Sequence, residues 1–215
     1  ITRHWIRWHK WLMQTKQRSM SKKGVDVGPE KTAIPIESAP NKPGPLPIHP
    51  MNNPSWQDVY IGMGSNLAEP SAQIQRAFQF LEQSAWMRQG RLSPLYISRP
   101  QGPQDQPDFV NAVAFFQTQY SPLALLDQLQ SVESTLGKVK TRHWGERLID
   151  LDLLLYGQHE SHCDRLDLPH PMMHQRDFVL VPLLDIAPEL RCPKTGLTYQ
   201  TFLSQLPEHF LVTAS

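Results

Sequence analysis

The sequence predicts an α+β fold in which helices cover an antiparallel β-sheet. Two observations carry this prediction: short apolar runs typical of strands alternate with longer segments whose apolar residues recur at helical spacing, and the elements follow the order β-α-β-β-α-β. This is the ferredoxin-like arrangement, with the helices on one face of the sheet. The 215-residue length and the 40% hydrophobic composition are enough for a single domain with a sizeable core and an appendage.

Both predicted helices have a defined start. Pro70 suits the first position of a helix that extends to about Trp86, and Ser121 is a natural N-cap for a second helix. Gly137 is a natural end for that second helix. The apolar residues that share one face of the first helix are Ile74, Ala77, Phe78 and Leu81.

The predicted strands are residues 59–61, 91–96, 110–118 and the run that begins at Asp150. The first of them leads into a glycine turn at residues 62–66, and the second and third are separated by a Pro-rich loop. Residues 178–186 are apolar enough to lie in the core.

The first fifty residues differ in composition from the rest of the chain. They contain nine Lys and Arg against three Asp and Glu, whereas the remaining residues contain twelve against seventeen. Residues 22–50 are rich in proline and show no periodicity, which indicates a linker or a disordered arm. We therefore expect a basic extension at residues 1–54 and a folded domain at residues 55–215.

Two interpretations of the start of the chain remain open. Trp5, Trp8 and Trp11 recur at helical spacing among basic residues, as in a short amphipathic helix that binds a membrane surface or nucleic acid. The interpretation that we favour is that the extension is not translated or not ordered, because Met51 and other methionines follow downstream.

Composition and motifs exclude several classes of protein. No run of 18 consecutive apolar residues would span a membrane. Cys163 and Cys192 have neither metal-ligand spacing nor a paired framework, which is typical of a reducing compartment, so we expect a cytoplasmic enzyme. The chain lacks the Gly-x-x-x-x-Gly-Lys-[Ser/Thr] loop, the Gly-x-Gly-x-x-Gly fingerprint and the protein-kinase signatures.

Two carboxylates stand two residues apart in the strand that begins at Asp150. Alternate residues of a strand share a face, so Asp150 and Asp152 point to one side, and Leu151, Leu153 and Leu155 point into the opposite layer. Adjacent carboxylates repel each other unless a cation lies between them, and Mg²⁺ binds one or two carboxylates together with waters and phosphate oxygens.

Basic residues crowd the chain upstream of this strand: Lys138, Lys140, Arg142, His143 and Arg147. Cations next to two carboxylates are the charge pattern expected for a metal-bound polyphosphate, which indicates a nucleotide. The alternative is a solvated basic loop that enters a strand with an acid pair at its edge.

Four motifs in one order resemble the 6-hydroxymethyl-7,8-dihydropterin pyrophosphokinase family of folate biosynthesis. They are Gly64-Ser65-Asn66-Leu67, residues 98–112, Trp144-Gly145-Glu146-Arg147 through Asp152, and Leu168-Pro169-His170-Pro171 with Arg176-Asp177-Phe178. The resemblance spans roughly residues 60–189. It implies a transferase, a kinase that moves a pyrophosphoryl group from ATP to the hydroxymethyl oxygen of the reduced pterin and releases AMP.

The resemblance also implies a set of site residues. Those implied for catalysis are Lys138, Arg147, Asp150 and Asp152, of which the two aspartates would hold two Mg²⁺ ions. Those implied for pterin binding are Ser98, Gln101, Phe109, Asn111, Trp144 and Phe178. Those implied for ATP binding are Gln130, Glu133, Lys138, Lys140, His143, Arg147, Leu153, Arg165, His170 and Arg176.

Other partners follow from the same resemblance. The product would pass to dihydropteroate synthase, and we expect a monomer with no membrane or nucleic-acid partner. For two kinds of side chain a plain structural role remains the alternative: Phe109 and Phe178 as core residues, and His170 as a turn histidine satisfied by the backbone.

The chain departs from the family pattern at the basic loop. His143 and Glu146 stand where arginine and proline are usual, Lys138 and Lys140 replace arginines, and Phe109 replaces a tyrosine. Lysine lacks the bidentate phosphate geometry of arginine, and Glu146 places an acid near polyphosphate. A catalytically weak pterin- or nucleotide-binding module of the same fold is therefore the alternative function.

Overall fold

The computed structural model describes residues 55–137 and 145–212. The predicted extension at residues 1–54 lies outside them. The strands are β1 (Gln57–Ser65), β2 (Met87–Leu92), β3 (Tyr96–Ser98), β4 (Phe109–Thr118), β5 (Asp150–Tyr156), β6 (Ser161–His162) and β7 (Asp167–Leu168). The α-helices are α1 (Pro70–Glu82), α2 (Pro122–Thr135), α3 (Asp177–Ile186) and α4 (Tyr199–Ser204), and a 3₁₀ turn covers Met173–Gln175.

The central sheet has the strand order β2-β4-β1-β5, and β3 also pairs with β4. All of these pairs are antiparallel, and β6 and β7 form a separate two-stranded sheet. The predicted antiparallel α+β fold is confirmed. β1 lies between β4 and β5, so the turn that follows it at Ser65 emerges between the ends of those two strands.

Helices cover both faces of this sheet. On the first face, buried residues of β1 and β5 pack with α1 and α2, including Ile74, Leu81 and Leu129. On the second face, Leu154 and Leu155 pack with residues of α3 and α4, including Leu180 and Tyr199. The expectation that the helices lie on one face is therefore wrong. The predicted core segment at 178–186 is helix α3, whose apolar side chains form the second layer.

The helix starts follow the sequence signals. Pro70 and Pro122 occupy the first turns of α1 and α2, and the Ser121 side chain accepts a hydrogen bond from the Ala124 N–H at 3.4 Å. Gly137 has a φ of +92°, the left-handed conformation that follows the end of α2. Helix α1 ends at Glu82 rather than near Trp86, whose ring instead stacks on Tyr120 with 5.6 Å between ring centroids.

The strand predicted at 91–96 is two strands. Pro94 lies between β2 and β3 and has no N–H to donate to a ladder, so the strand breaks there. Just before the break, the Ser93 backbone N–H donates to the Val113 carbonyl at 3.0 Å, which keeps this segment against β4.

The strand β5 has an irregularity that the sequence pattern does not reveal. Its pairing with β1 shifts between Tyr60 and Ile61, so Leu154 and Leu155 both contribute to the second core. Leu151 and Leu153 face the first core, as predicted, but the prediction that Leu155 shares their layer is wrong. A bulge adds one residue to one strand and reverses the alternation beyond it.

Candidate active site

Three sequence-predicted positions form a row across the sheet. Gly64 pairs with Asn111 of β4 on one side and with Asp150 of β5 on the other. Residues that lie opposite each other in neighbouring strands project to the same face, so the amide and the carboxylate share a face. Gly64 has no side chain between them, which leaves the middle of the row open.

Asp150 and Asp152 lie at the start of β5, on the second face of the sheet. Asp150 forms an ion pair with Arg147, whose side chain is 27% exposed against 20% for the aspartate. Burial raises the pKa of Asp152 above its ordinary value, and the neighbouring carboxylate of Asp150 raises it further. The positive charge of Arg176 and that of Arg147 act in the opposite direction. The acid pair is thus a partly desolvated negative centre edged by arginines.

His170 lies against this centre. Burial lowers the pKa of its imidazole, while the carboxylate of Asp152 opposes that shift. Its Nδ1 accepts a hydrogen bond from the Met172 N–H at 3.3 Å, and its own backbone N–H donates to the Leu154 carbonyl at 2.9 Å. These backbone bonds are the ones expected of a turn histidine, and they fix the ring beside Asp152.

Ser98 and Asn111 form a buried polar pair on the β4 side of the row. The Asn111 Nδ2 donates to the Ser98 Oγ at 2.9 Å, and the two residues are 7% and 2% exposed. A buried amide held in this way has a fixed orientation. The two side chains predicted to bind one ligand are therefore in direct contact.

The predicted aromatic residues lie beside the arginines. The Arg147 guanidinium lies 5.6 Å from the ring centroid of Phe109, and the Arg176 guanidinium lies 5.7 Å from that of Phe178. Gln101 accepts a hydrogen bond from the Arg176 Nε at 3.0 Å. Phe178 is half-buried and packs against the second core, so it combines a packing role with its position at the site.

Asn66 is bonded both to Arg147, next to the carboxylates, and to Pro107, in the loop before β4. No role for this residue was predicted from the sequence. Its Oδ1 accepts from the Arg147 N–H at 2.8 Å, and its own N–H donates to the Arg147 carbonyl at 3.1 Å. Its Nδ2 donates to the Pro107 carbonyl at 3.0 Å and to the Gln106 side chain at 3.2 Å. The signal for this residue was its place in the motif Gly64-Ser65-Asn66-Leu67.

Several residues predicted to bind ATP lie on or near α2. Glu133 is buried and accepts from the Leu151 N–H at 2.7 Å, and Leu153 is a residue of the first core. Gln130 is exposed on α2, and the exposed Arg165 forms an ion pair with Asp127 of the same helix. Four further predicted residues lie outside the described residues: Lys138, Lys140, His143 and Trp144.

Within residues 55–137 and 145–212, no three His, Cys, Asp or Glu side chains come together as a metal-binding group. No helix in those ranges has both the length and the apolar character needed to cross a lipid bilayer.

The fold and the site together make an α+β domain in which two carboxylates, two arginines and a histidine gather at one end of the sheet. Residues 60–188 match the family described as 7,8-dihydro-6-hydroxymethylpterin-pyrophosphokinase (HPPK). The chain belongs to the HPPK family, and the resemblance seen in the four motifs is confirmed.

Named relatives support the same assignment. The chain is 44% identical, over 154 residues, to the 2-amino-4-hydroxy-6-hydroxymethyldihydropteridine pyrophosphokinase of Haemophilus influenzae, covering 72% of this chain and 96% of the relative. It is 51% identical, over 137 residues, to the Pseudomonas aeruginosa protein of the same name, and this match covers 64% of this chain and 85% of the relative.

A solved structure shows the same fold. The wild-type HPPK-DHPS of Plasmodium falciparum with pteroate matches with a TM-score of 0.57 and 13% identity, over 72% of this chain and 43% of that chain. The chain thus spans less than half the length of that two-part protein.

Proposed function

We propose that the row from Asn111 through Gly64 to Asp150 is where this enzyme transfers a diphosphate from ATP to the hydroxymethyl oxygen of 6-hydroxymethyl-7,8-dihydropterin. The reaction class, a pyrophosphoryl transfer in folate biosynthesis with ATP as co-substrate, follows from membership of the HPPK family. The assignment of residues rests on the sheet register. β4 and β5 are two strand spacings apart, about 10 Å, which suits a bicyclic ring joined to a phosphate chain.

Asn111 and Ser98 would hold the pterin. The Asn111 amide has two N–H donors and one carbonyl acceptor, and the Ser98 hydroxyl takes one of the donors. The amide edge so oriented matches the alternating donors and acceptors of a 2-amino-4-oxo ring. Phe109 and Phe178 would stack on the two ring faces, and Gln101 would act through its bond to Arg176.

Arg147, Arg176 and His170 would bind the phosphates. An arginine offers a planar set of donors and a permanent charge, so it stabilises the negative charge that grows on the α-phosphate leaving oxygen. Arg147 is fastened through its backbone to Asn66, which holds the guanidinium near the β5 carboxylates. Three residues at 138–144 are retained as sequence predictions for ATP binding: Lys138, which is also predicted to act in catalysis, Lys140 and His143. Trp144 is retained as a prediction for pterin binding.

Asp150 and Asp152 have the donor set for Mg²⁺. Two carboxylates on one face, with no third His, Cys, Asp or Glu grouped with them among residues 55–137 and 145–212, suit an ion that keeps several waters and takes its other oxygens from phosphates. When bound, the two ions proposed here would neutralise the triphosphate and orient it for in-line attack. Burial and the neighbouring Asp150 carboxylate raise the pKa of Asp152, and a bound cation would oppose both effects by stabilising the ionised form.

The remaining proposals concern the setting of the enzyme. Passage of the product to a dihydropteroate synthase is supported by the HPPK-DHPS chains of Plasmodium falciparum, in which the two parts share one polypeptide. A monomeric state and a cytoplasmic location stay predictions.

One assay tests the proposed reaction. The protein is incubated with ATP, Mg²⁺ and the reduced pterin, and AMP and ADP are separated. AMP should form one-for-one with the pterin diphosphate. ADP as the main product would contradict the reaction, whereas pterin binding without AMP would favour the catalytically weak binding module.

A further inference from the structure

The C-terminal segment, residues 209–212, pairs with β3 and the residue that follows it. The Arg99 N–H donates to the Phe210 carbonyl at 2.9 Å, and the Val212 N–H donates to the Ile97 carbonyl at 2.9 Å. Between these bonds, Ser98 and Leu211 form an antiparallel bridge. The segment therefore acts as an extra strand beside Ser98, although it lies beyond the residues that match the HPPK family.

Asp177 ties the same segment to the start of α3. Asp177 is 1% exposed, and its Oδ2 accepts from the backbone N–H groups of Phe210 at 2.8 Å and Leu211 at 2.9 Å. Its Oδ1 accepts from the Phe178 N–H at 2.8 Å. A buried carboxylate is tolerated only when such donors replace water, so Asp177 holds the C-terminal segment and Phe178 in one fixed arrangement.

The rings of Phe178 and Phe210 meet edge to face. Their centroids are 6.0 Å apart and their planes are inclined at 83°, a favourable geometry for an aromatic pair. The Arg176 guanidinium lies 5.7 Å from the same Phe178 ring. The ring of Phe178 is thus restrained by a residue from the far end of the chain as well as by its neighbour in sequence.

We propose that Phe210 is a positioning residue for pterin binding: the C-terminal segment, fastened by Asp177, holds the Phe178 ring in the orientation that stacks on the pterin. This proposal rests on the proposed function of Phe178. Without the Phe210 ring, Phe178 samples other rotamers, and the pterin must order it on binding. In the proposed site ATP binds through the arginines Arg147 and Arg176 and the carboxylates of β5, so its affinity should not depend on Phe210.

The test uses Phe210→Ala in the full chain, with direct pterin binding by calorimetry and the KM of each substrate. Pterin binding should weaken about three- to tenfold, the range of an edge-to-face aromatic pair, with kcat and the ATP KM unchanged. Phe210→Tyr keeps the ring and should restore pterin binding. Asp177→Asn should weaken it too, and the double variant should be no worse than the larger single effect, because both act through Phe178.

Phe202→Ala is the matched control, because Phe202 is an aromatic residue of the second core that packs against His174. It should lower the melting temperature and leave pterin binding unchanged. Unchanged pterin binding in Phe210→Ala would overturn the proposal. So would an equal loss for pterin and ATP, since that pattern would mark a general effect on folding. A native protein that binds the pterin but makes no AMP would instead overturn the proposed function.

Discussion

The two faces of the central sheet are built differently. Apolar side chains dominate the first face, where β1 and β5 pack against α1 and α2 through residues such as Ile61 and Leu129. The second face changes along β5. Asp150 and Asp152 stand at its start, and Leu154 packs under α3 only two residues further on. The first face is mainly a hydrophobic core, and the second divides between a core and a charged site.

This difference explains how the site is held in place. A carboxylate pair on a fully covered face would lose its solvation without gaining a ligand. On the second face the apolar layer ends before Asp152, and the arginines and His170 surround the carboxylates instead. Substitutions only two positions apart in β5 should therefore have different effects: one at Asp152 should lower activity, and one at Leu154 should lower stability.

The largest effect on stability is expected from substitutions in the two hydrophobic cores, one on each face of the sheet. Leu154→Ala and Leu129→Ala should each lower the free energy of unfolding by about 2–5 kcal/mol, because both side chains are fully enclosed. Urea denaturation measures this change. If the second face is divided as described, kcat of the folded Leu154→Ala protein should stay within about threefold of the native value. A far larger loss would show that the core and the site are coupled.

The carboxylates should behave in the opposite way. Asp150→Ala or Asp152→Ala should lower turnover by at least roughly 100-fold, on the order of 3 kcal/mol of transition-state stabilisation. Folding should survive, because removing one of two adjacent negative charges relieves their repulsion. Steady-state kinetics and thermal melting are measured on the same samples. Near-normal turnover, or an unfolded variant, would contradict the proposed metal role.

Asn66 should have an intermediate effect. Asn66→Ala removes the acceptor for the Arg147 N–H and the donor to the Pro107 carbonyl, so both sides of the site lose a tether. We expect turnover to fall about tenfold, equivalent to about 1.4 kcal/mol. Gln106→Ala is the control because it removes one partner of Asn66 and leaves the Arg147 bond in place. Equal losses in the two variants would show that the Arg147 tether is unimportant.

How much of this arrangement could be predicted from the sequence depends on how far apart the contacting residues lie along the chain. Helix starts at Pro70 and Ser121 and the shared face of Asp150 and Asp152 were predicted because each depends on residues a few positions apart. The roles of Asn66 and Asp177 were missed, since their partners lie 81 and 33 positions away along the chain. Periodicity carries no information about such contacts.

The packing of the helices on the two faces of the sheet was also only partly predictable from the sequence. Residues 178–186 were correctly predicted to lie in the core, but no local pattern tells which face of a sheet a segment covers. Helix α4 has six residues, too few to show a helical period, and it completes the second layer. The bulge in β5 could not be predicted from the sequence either, because Leu153, Leu154 and Leu155 are apolar residues that suit either face.

A smaller effect is expected at Phe109. This half-buried ring lies near Arg147 at the start of β4, so its loss should matter more for the ligand than for packing. Phe109→Ala should weaken pterin binding about three- to tenfold and leave ATP binding largely intact. Calorimetry with each substrate measures both. A drop in melting temperature comparable to that of Leu154→Ala would mark Phe109 as a core residue.

The smallest effect concerns His174, in the 3₁₀ turn of the second face. Its ring lies 4.4 Å from that of Phe202, and its Nε2 is buried without a hydrogen-bond partner in the part of the chain that the structure describes. Burial lowers the pKa of this imidazole, and the positive charges of Lys194 and His170 lower it further. The folded protein therefore resists protonation more than the unfolded chain does.

The stability contributed by neutral His174 should be fully present above about pH 6.5, the ordinary pKa of histidine, and should be lost as the pH falls below it. His174→Phe keeps an aromatic ring in the second core and removes the titration. Urea denaturation at about pH 7.5 and pH 5.5 should show a smaller acid-induced loss of unfolding free energy in this variant than in the native protein. His159→Phe, at an exposed histidine, is the matched control. An equal acid-induced loss in the native and His174→Phe proteins would show that His174 is protonated as easily in the folded state as in the unfolded one.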